Sequence, residues 1–434
     1  MKKNLTDENN KVCMQDFPSE MTEEGLKLYD ETSYENHIAS LSHYLHNTDF
    51  EGNHVIVQKK RNEVMALIRE YLEYKEEKQV YSDEQIAFAA ENPLQADLFR
   101  EFYRVPFPSP RSYTHTFIDL FAGIGGIRIP FDEMGYHCSF SSEWDAKACK
   151  SYFANFGEVP YGDITKIHAA SIPRHDILLA GFPCQAFSIM GKMKGFADTR
   201  GTMFFEIERI LEHHRPPYVL LENVKQLVTH DGGRTFKVIL ERMERLGYHV
   251  KWKVLNAMDF GLPQKRERVL IVGFREKSDC DAFAFGIPHT PYSLSEILEP
   301  DEDVDASLFA SEYIVQKRIE KTAGKEIFYP SVWHENKAGN ISILDHSCAL
   351  RTGASYNYLL INGVRRPSSR ELLRFQGFPE KYKIAVSNQD VRRQTGNSVA
   401  VPMIRMVARK IDEIIKNKEN ETSETKGFKK VVNS

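Results

Sequence analysis

The chain has 434 residues, 41% of them hydrophobic and 27% charged, which is the composition of an ordinary globular protein with two or three domains. No apolar run reaches the roughly 18 residues that a membrane helix needs, and the N-terminus lacks the apolar segment of a secretory signal. The six cysteines form no CxxC pair, so neither a metal site nor a disulfide framework is indicated, and we expect a cytoplasmic protein.

The net charge of −4 hides an uneven distribution. Residues 1–110 carry 12 basic and 21 acidic side chains, a net of −9, and the remainder carries a net of +5. A mildly basic body is compatible with a polyanionic partner, although many enzymes share such a balance.

Residues 1–110 are expected to form an accessory, mainly helical extension. The segment from Val57 to Lys78 places Leu67, Ile68 and Leu72 on one face and charges opposite, which predicts an amphipathic surface helix. The prolines within 105–110 exclude a helix and indicate a linker.

From Thr116 onwards, short apolar runs alternate with helical stretches. We predict strands at 117–121, 138–141, 176–180, 218–221, 248–255 and 268–272. Strands that alternate with helices form a mostly parallel, doubly wound α/β sheet, which binds its ligands at the carboxyl ends of the strands. The side chains that follow each strand are therefore the candidates for function.

The first strand leads into a glycine turn, Phe121 to Gly126, in which the backbone can approach a ligand closely. Arg128 stands where the third glycine of a dinucleotide-binding GxGxxG motif would fall, so that fingerprint is absent. Glu143 follows the second strand, and Asp163 lies in a later loop. Each alone would be an ordinary surface acid, but together they favour an adenosyl ligand over one that contains pyrophosphate.

The third strand leads into a loop that contains Cys184 between glycine and proline on one side and glutamine on the other. A thiolate can be exposed and activated in such a loop, whereas Cys138 and Cys149 are predicted to be small buried side chains. Glu222 follows the fourth strand in the same way.

Gln264, Arg266 and Arg268 share one side of an extended segment, because side chains alternate along a strand. A run of charges is normally a solvated face. Here the run opens an apolar strand, which favours arginines that point into the cleft.

Residues 276–369 break the alternation of strands and helices and are predicted to form a separate smaller domain. We therefore divide the chain into an extension at 1–110, a catalytic and cofactor-binding domain at 111–275, the smaller domain, a return segment at 370–416 that completes the catalytic domain, and a flexible tail at 417–434.

Six motifs follow one another in a characteristic order. They are FAGIGG at 121–126, GFPCQAFS at 181–188, ENV at 222–224, QKRER at 264–268, RELLRFQGFP at 370–379 and GNSV at 396–399. In this order and spacing they resemble the motifs of the DNA cytosine-5-methyltransferase family, which comprises bacterial type II restriction-modification enzymes and orphan modification enzymes. The resemblance runs from about Thr116 to Pro402.

The resemblance implies a Rossmann-like, S-adenosylmethionine-dependent methyltransferase domain with a target-recognition domain at 276–369. Cys184 would attack carbon 6 of a flipped-out cytosine, Glu222 would hydrogen-bond or protonate ring nitrogen 3, and Arg268 would hold the base with Arg266 and Gln264 nearby. The implied cofactor-binding residues are Phe121, Gly123, Ile124, Gly125, Gly126, Glu143, Trp144, Asp163, Ile164, Pro183, Asn397, Ser398 and Val399.

Candidates for DNA contact lie in the implied recognition domain, where a Thr-Leu element of the family is replaced by Ala349-Leu350. These candidates are Arg351, Tyr356, Asn357, Arg365 and Arg366. The expected partners are double-stranded DNA and a restriction endonuclease that acts on the same site, and we expect a monomer. The base sequence that is recognised does not follow from these residues.

Two other functions are compatible with parts of the chain. Related enzymes that methylate tRNA cytosine usually have a PPCQ motif, and the Phe182-Pro183 pair with the long recognition region favours DNA here. A DNA-binding regulator without turnover would be expected to lack the nucleophile or the acid, yet Cys184 and Glu222 are both present.

Overall fold

The computed structural model describes residues 105–110, 112–183 and 203–432, with side chains to 421, and also Ala39, Ser42 and Ile68. The predicted nucleophile Cys184 lies outside the described residues. So does the predicted helix from Val57 to Lys78, apart from Ile68, which is helical and fully buried.

The strands between residues 116 and 274 form the main sheet. They are β1 (Thr116–Leu120), β2 (His137–Ser142), β3 (Ile177–Gly181), β4 (Tyr218–Val224), β5 (His249–Asn256), the short β6 (Gln264–Lys265) and β7 (Glu267–Phe274). All except β6 lie in one sheet in the order β2-β1-β3-β4-β7-β5. The predicted strands are confirmed, with ends that differ by a few residues.

The prediction of a mostly parallel sheet is confirmed, with one strand reversed. Strands β2, β1, β3 and β4 run parallel, but β7 lies antiparallel between β4 and β5. Residues 257–266, which connect β5 to β7, contain no α-helix. A connection without a crossover helix can join antiparallel neighbours but not parallel ones, which accounts for the reversal.

The α-helices of the described ranges are α1 (Arg128–Glu133), α2 (Ala146–Phe156), α3 (Met203–His214), α4 (Arg234–Arg245), α5 (Lys277–Ala282), α6 (Glu312–Lys321), α7 (Ser369–Phe375), α8 (Asn388–Asn397) and α9 (Val401–Val432). Helices α3 and α4 cover one face of the sheet and α1 and α9 the other, as a doubly wound fold requires, and further helices lie outside the sheet. Within the described ranges, none of the helices has the length and apolar composition needed to cross a membrane.

Two apolar cores lie on opposite sides of the main sheet. One contains buried residues of α3 and α4, such as Ile207 and Ile239, packed with Leu178 and Leu221 of the sheet. The other contains α1 and α9 with the opposite faces of the same strands. Because the strand side chains alternate between these cores, the apolar runs in the sequence are continuous rather than alternating.

Residues 276–369 contain a three-stranded antiparallel sheet, β11-β8-β9, made of β8 (Val332–Glu335), β9 (Ile341–Leu344) and β11 (Leu359–Ile361). Trp333, Ile341 and Leu360 form a small core of its own. A larger core is shared with α1, α2 and α7, and strand β10 (Ser347–Cys348) pairs with β6. This region is therefore joined to the rest of the fold by apolar packing against α1, α2 and α7 and by the pairing of β10 with β6.

The chain returns to the main sheet through α7, α8 and α9. A capping box begins α7, where Ser368 accepts from the Glu371 amide and Glu371 accepts from the Ser368 amide. Helix α9 continues to Val432, whereas a flexible tail was predicted from residue 417. The lysines and glutamates that suggested a tail are also good helix formers, so the backbone can continue the helix through them.

Candidate active site

Glu222 lies at the carboxyl end of β4, directly beside the end of β3. It is the register partner of Gly181, and a side chain added at Gly181 would come within 3.6 Å of Glu222 Oε2 and 3.1 Å of Ile127. The Asn223 side chain donates to the Phe182 carbonyl at 2.8 Å, and Phe182 is buried. These contacts hold the backbone at Gly181 and Phe182, the latter two residues before Cys184, next to Glu222.

Glu222 forms a largely buried ion pair with Arg268. The distance from Arg268 Nε to Glu222 Oε1 is 3.0 Å, and the side chains are 12% and 9% exposed. The pair forms because β7 runs antiparallel to β4 and brings Arg268 opposite Val224. Burial raises the pKa of Glu222 above its ordinary value, and the charges of Arg268 and Arg266 oppose part of that rise. A carboxyl group in this setting can hold or release a proton at the strand edge.

Gln264, Arg266 and Arg268 alternate with more exposed residues, as predicted, but the first two contact the protein backbone. Gln264 is fully buried, donates to the Phe375 carbonyl at 2.7 Å and accepts from the Leu350 amide at 3.3 Å. It therefore ties α7 and the segment after β10 to the sheet.

Arg266 is buried and donates to the carbonyl oxygens of Gly396 and Ser398. Its Nε and Nη1 atoms have no hydrogen-bond partner among the residues that the structure describes. Arg266 thus joins the GNSV segment to the strand that carries Arg268. Of the three side chains predicted at this strand, Arg268 is the one in contact with Glu222.

The glycine turn after β1 adopts left-handed backbone conformations. Phe121 has φ 56°, Gly123 has φ 56° and Gly125 has φ 79°. The Gly123 amide donates to Glu143 Oε2 at 2.9 Å, and the Asp145 amide donates to Glu143 Oε1 at 2.7 Å. These two hydrogen bonds therefore hold the Glu143 carboxylate between the ends of β1 and β2. A Cβ at Gly123 would meet nothing closer than 4.0 Å, which leaves open space at this turn.

Three further cofactor-binding candidates, Trp144, Asp163 and Ile164, lie at the same end of the sheet. Trp144 is 73% exposed, whereas Ile164 is buried. Asp163 accepts from the Thr165 amide and caps a short 3₁₀ turn that begins at Ile164. An oriented carboxylate, an exposed aromatic ring and an aliphatic wall are the features that bind an adenosine, so the side chains present fit an adenosyl cofactor.

The glycine turn meets the return segment at Gly126. A Cβ at Gly126 would lie 2.7 Å from Ser398 Oγ and 3.1 Å from Val399. The structure thus brings 121–126 and 398–399 together, as the ordered motifs imply. Ile124 and Val399 are buried, and Asn397 and Pro183 are exposed beside them.

Most of the DNA-contact candidates stack into one layer of arginines and tyrosines. Arg351 lies 4.9 Å from the ring centre of Tyr358, and Arg366 lies 4.2 Å from that of Tyr356. Arg392 of α8 adds a third guanidinium, 5.6 Å from Tyr356 and 5.4 Å from Tyr358. We call these five residues the Arg–Tyr layer. Asn357 supports it by accepting from Arg366 at 2.8 Å.

Arg365 does not fit its predicted contact with DNA. Its side chain is 1% exposed and donates to both oxygens of Glu371, to Asp301 and to the Glu299 carbonyl. Its donors face carboxylates inside the protein, whereas the adjacent Arg366 donates to the Asn357 side chain and to the Ser307 and Phe309 carbonyls.

Three residues of this site were not singled out from the sequence: Asn223, Tyr358 and Arg392. Asn223 is part of the ENV motif, but only its contact with Phe182 shows that it holds the loop before Cys184. Arg392 is one of two adjacent arginines in a polar helix, and its neighbour Arg393 pairs with Asp145 instead. The motif was a usable signal for Asn223, whereas no pattern in the sequence distinguishes Arg392.

The predicted contrast among the cysteines is confirmed for two of them. Cys138 and Cys149 are fully buried. Burial raises the pKa of the Cys138 thiol far above its ordinary value, so this group is not a reactive thiolate.

Comparison with known proteins gives consistent matches. Residues 115–413 match the C-5 cytosine-specific DNA methylase family. The type II methyltransferase M.HaeII of Haemophilus aegyptius is 56% identical over 292 residues, which cover 67% of this chain and 91% of that protein. M.NgoBI of Neisseria gonorrhoeae is 56% identical over 299 residues, or 69% of this chain and 93% of that protein.

Solved structures share the fold at low sequence identity. The DNMT2 of Spodoptera frugiperda superposes with a TM-score of 0.54 at 19% identity and covers 69% of this chain and 99% of that one. The Dnmt2 of S. pombe gives a TM-score of 0.54 at 19% identity, with 70% and 100% coverage. These structures confirm the Rossmann-like methyltransferase fold.

The family match spans more than half of the chain, and the two curated relatives are similar over nearly their whole length. The strand ends, the glycine turn and the Glu222–Arg268 pair all lie within the matched residues. The chain therefore belongs to the C-5 cytosine-specific DNA methylase family and is an S-adenosylmethionine-dependent DNA cytosine-5-methyltransferase.

Proposed function

We propose that this enzyme methylates one cytosine within a specific double-stranded DNA sequence through covalent attack by Cys184, and that it protects host DNA in a restriction-modification system. The observation that carries this proposal is the Glu222–Arg268 ion pair, which lies beside the strand end that leads directly into Cys184. A nucleophile, a carboxyl group of raised pKa and a cation are the three groups that the reaction needs.

The first step makes carbon 5 of the cytosine nucleophilic. The Cys184 thiolate forms a bond to carbon 6, and the electron pair of the 5,6 double bond moves into the ring towards nitrogen 3. Glu222 donates its proton to that nitrogen, which neutralises the developing charge and leaves an enamine. The raised pKa of Glu222 suits this role, because it keeps the carboxyl group protonated to a higher pH than an exposed glutamate would allow.

The second step restores the aromatic ring. When bound, S-adenosylmethionine would supply the methyl group: carbon 5 of the enamine would bond to it as the methyl–sulfur bond breaks, with that electron pair left on the sulfur of S-adenosylhomocysteine. A base then removes the carbon-5 proton, the electrons of that C–H bond re-form the 5,6 double bond, and the C6–S bond breaks to release the Cys184 thiolate. The nitrogen-3 proton returns to Glu222, and Arg268 keeps the carboxylate oriented throughout.

The cofactor is proposed to lie across the glycine turn. Glu143 would bind the ribose hydroxyls, with Trp144 and Ile164 on either side of the adenine ring and Asp163 at its amino group. The other proposed contacts are Phe121, Gly123, Ile124, Gly125, Gly126, Pro183, Asn397, Ser398 and Val399. Support comes from the oriented Glu143 carboxylate and from the open space beside Gly123.

The DNA would lie against the carboxyl edge of the sheet and the Arg–Tyr layer. The target base must leave the helix stack to reach Cys184. Arg351, Tyr356 and Arg366 lie in residues 276–369, the proposed recognition domain, and Arg392 extends the layer from the return segment. The stacked guanidinium groups are suited to contacts with phosphates and base edges.

The decisive experiment uses a duplex with 5-fluorocytosine at the target position. Fluorine at carbon 5 cannot leave as a proton, so the reaction should stop with the base bonded to Cys184. We expect a denaturation-resistant protein–DNA adduct that requires S-adenosylmethionine, and no adduct with Cys184→Ala. An adduct of undiminished yield with a folded Cys184→Ala protein would overturn the assignment of the nucleophile.

The substrate and the biological role need separate tests. Methyl transfer to duplex DNA and to tRNA should be compared in one assay, and activity on tRNA alone would overturn the proposed substrate. Bisulfite sequencing of DNA from cells that express the protein should reveal a single recurring methylated sequence. Resistance of that DNA to a restriction endonuclease of the same specificity would support the protective role.

A further inference from the structure

The N-terminal extension precedes the residues that the family match covers. The family match begins at residue 115. The alignments with the two curated relatives span over nine-tenths of each relative but about two thirds of this chain. The described residues of the extension are nevertheless part of the folded structure. Ala39, Ser42 and Ile68 are helical and at most 1% exposed.

Two of these residues contact the catalytic domain directly. Ala39 belongs to the same buried core as Phe140, Tyr161 and Ile164. The Ser42 hydroxyl accepts a hydrogen bond from the Val159 amide at 2.8 Å and donates one to the Ala39 carbonyl at 2.7 Å. We call Ala39 and Ser42 the N-terminal brace.

The brace contacts the start of residues 159–164, the cofactor-side segment. This segment runs beside the edge strand β2, where the Tyr161 amide donates to Ser141 at 2.7 Å and the Glu143 amide donates to Tyr161 at 2.8 Å. It ends at Asp163 and Ile164, the proposed adenine contacts. One set of hydrogen bonds thus links the position of this segment to that of Glu143, the proposed ribose ligand.

Without Ser42, the Val159 amide would be buried without this acceptor. A buried amide that loses its acceptor is costly, so the backbone would shift to find a new one. The preceding residue, Glu158, is held by Arg128 at 2.5 Å and cannot follow freely. The shift would therefore pass along the cofactor-side segment towards Asp163 and Ile164.

We propose that the N-terminal brace is a positioning element for the cofactor pocket, through which this extension sets the affinity of the enzyme for S-adenosylmethionine. The proposal rests on the cofactor-binding residues proposed above. It gives a role in the methyl-transfer reaction to a segment that lies outside the family match.

The test is Ser42→Ala in the full chain, which removes one buried oxygen atom and adds no bulk. Calorimetric titration with S-adenosylmethionine should show a dissociation constant about three- to tenfold higher than that of the unchanged protein. The KM for S-adenosylmethionine should rise by the same factor, while the KM for DNA and the kcat at saturating cofactor stay within twofold. A rise in the KM for S-adenosylmethionine alone indicates an effect on the cofactor pocket, whereas a general loss of folded enzyme would lower kcat.

Thr322→Val is the matched control, because it also removes one buried hydroxyl group, whose partners are carbonyls of α6. It should leave the affinity for S-adenosylmethionine within twofold. A Ser42→Ala protein with unchanged affinity would overturn the brace, even if its melting temperature fell. Ile164→Ala tests the proposed adenine contacts themselves. If its affinity for S-adenosylmethionine is unchanged, those contacts are wrong. If its affinity falls but that of Ser42→Ala does not, only the proposed role of the brace is wrong.

Discussion

The edge of the main sheet and the region from 276 to 369 each contain an arginine with little exposure, but the two arginines have different partners. Arg365 faces Glu371 and Asp301, and its donors are used within the protein. Arg268 pairs with a single carboxylate, Glu222, and donates to the Glu267 carbonyl, at a strand end beside the loop that contains the proposed nucleophile. The comparison indicates that an arginine surrounded by carboxylates stabilises the fold, whereas one that shares a single carboxylate at a strand edge can act on a substrate.

The largest effect should come from the sheet edge. Glu222→Gln removes the proton donor while keeping the shape of the side chain, so kcat should fall by about 10²- to 10⁴-fold. Affinity for S-adenosylmethionine and the melting temperature should change little. Measured single-turnover methylation within fivefold of the unchanged enzyme would show that Glu222 is not the acid.

Arg365→Met should mainly affect stability. It leaves the buried Glu371 carboxylate without its cation, which costs about 3–5 kcal/mol in the free energy of unfolding. Urea denaturation measures this loss. The matched control is Arg374→Met, because Arg374 pairs with the largely exposed Glu380 and should contribute less than about 1 kcal/mol. Equal losses of unfolding free energy in the two variants would show that Arg365 does not stabilise the fold more than an exposed ion pair does.

Arg392→Ala should weaken DNA binding and cause a smaller loss of stability, because Arg392 also donates to the Ala354 and Ser355 carbonyls. If Arg392 contacts a phosphate, the dissociation constant for DNA should rise about tenfold at moderate salt. The slope of log dissociation constant against log salt concentration should decrease by about one. Arg405→Ala is the control, since Arg405 pairs with Glu133 on α1 and lies outside the Arg–Tyr layer. An unchanged salt dependence in Arg392→Ala would argue against a phosphate contact.

A further prediction concerns the pH dependence of stability that Asp119 in β1 causes. Burial raises its pKa to about 8, against the opposing charge of Arg128, and its carboxyl oxygens have no hydrogen-bond partner among the described residues. Between pH 4 and 8 the folded protein therefore holds a proton that the unfolded chain has released. Its contribution to stability is complete below pH 4 and is lost as the pH rises through about 8.

Asp119→Asn cannot titrate, so its free energy of unfolding should fall less between pH 5 and pH 8 than that of the unchanged protein. Chemical denaturation at several pH values measures the two slopes. Parallel slopes would mean that Asp119 ionises normally in the folded protein.

The sequence predicted the parts of the molecule that depend on local patterns. Apolar runs located the strands, and the rule that ligands bind at strand ends singled out Glu143 and Glu222 before any contact was known. It did not predict that β7 reverses, because that depends on a connection without a helix. Nor did it distinguish Arg365 from Arg366, since the direction in which each of two adjacent arginines points depends on a distant carboxylate, Glu371.

The packing of Gly126 against Ser398 and Val399 has a consequence for biosynthesis. The glycine turn is made early by the ribosome, but its neighbours emerge only after the whole of 276–369 has been translated. Domains generally fold as they are synthesised, at about 5–20 residues per second, so the glycine turn must wait tens of seconds for its partner. A truncated or stalled nascent product would therefore be inert, and modification of the genome would begin only with chains translated at least as far as Val399.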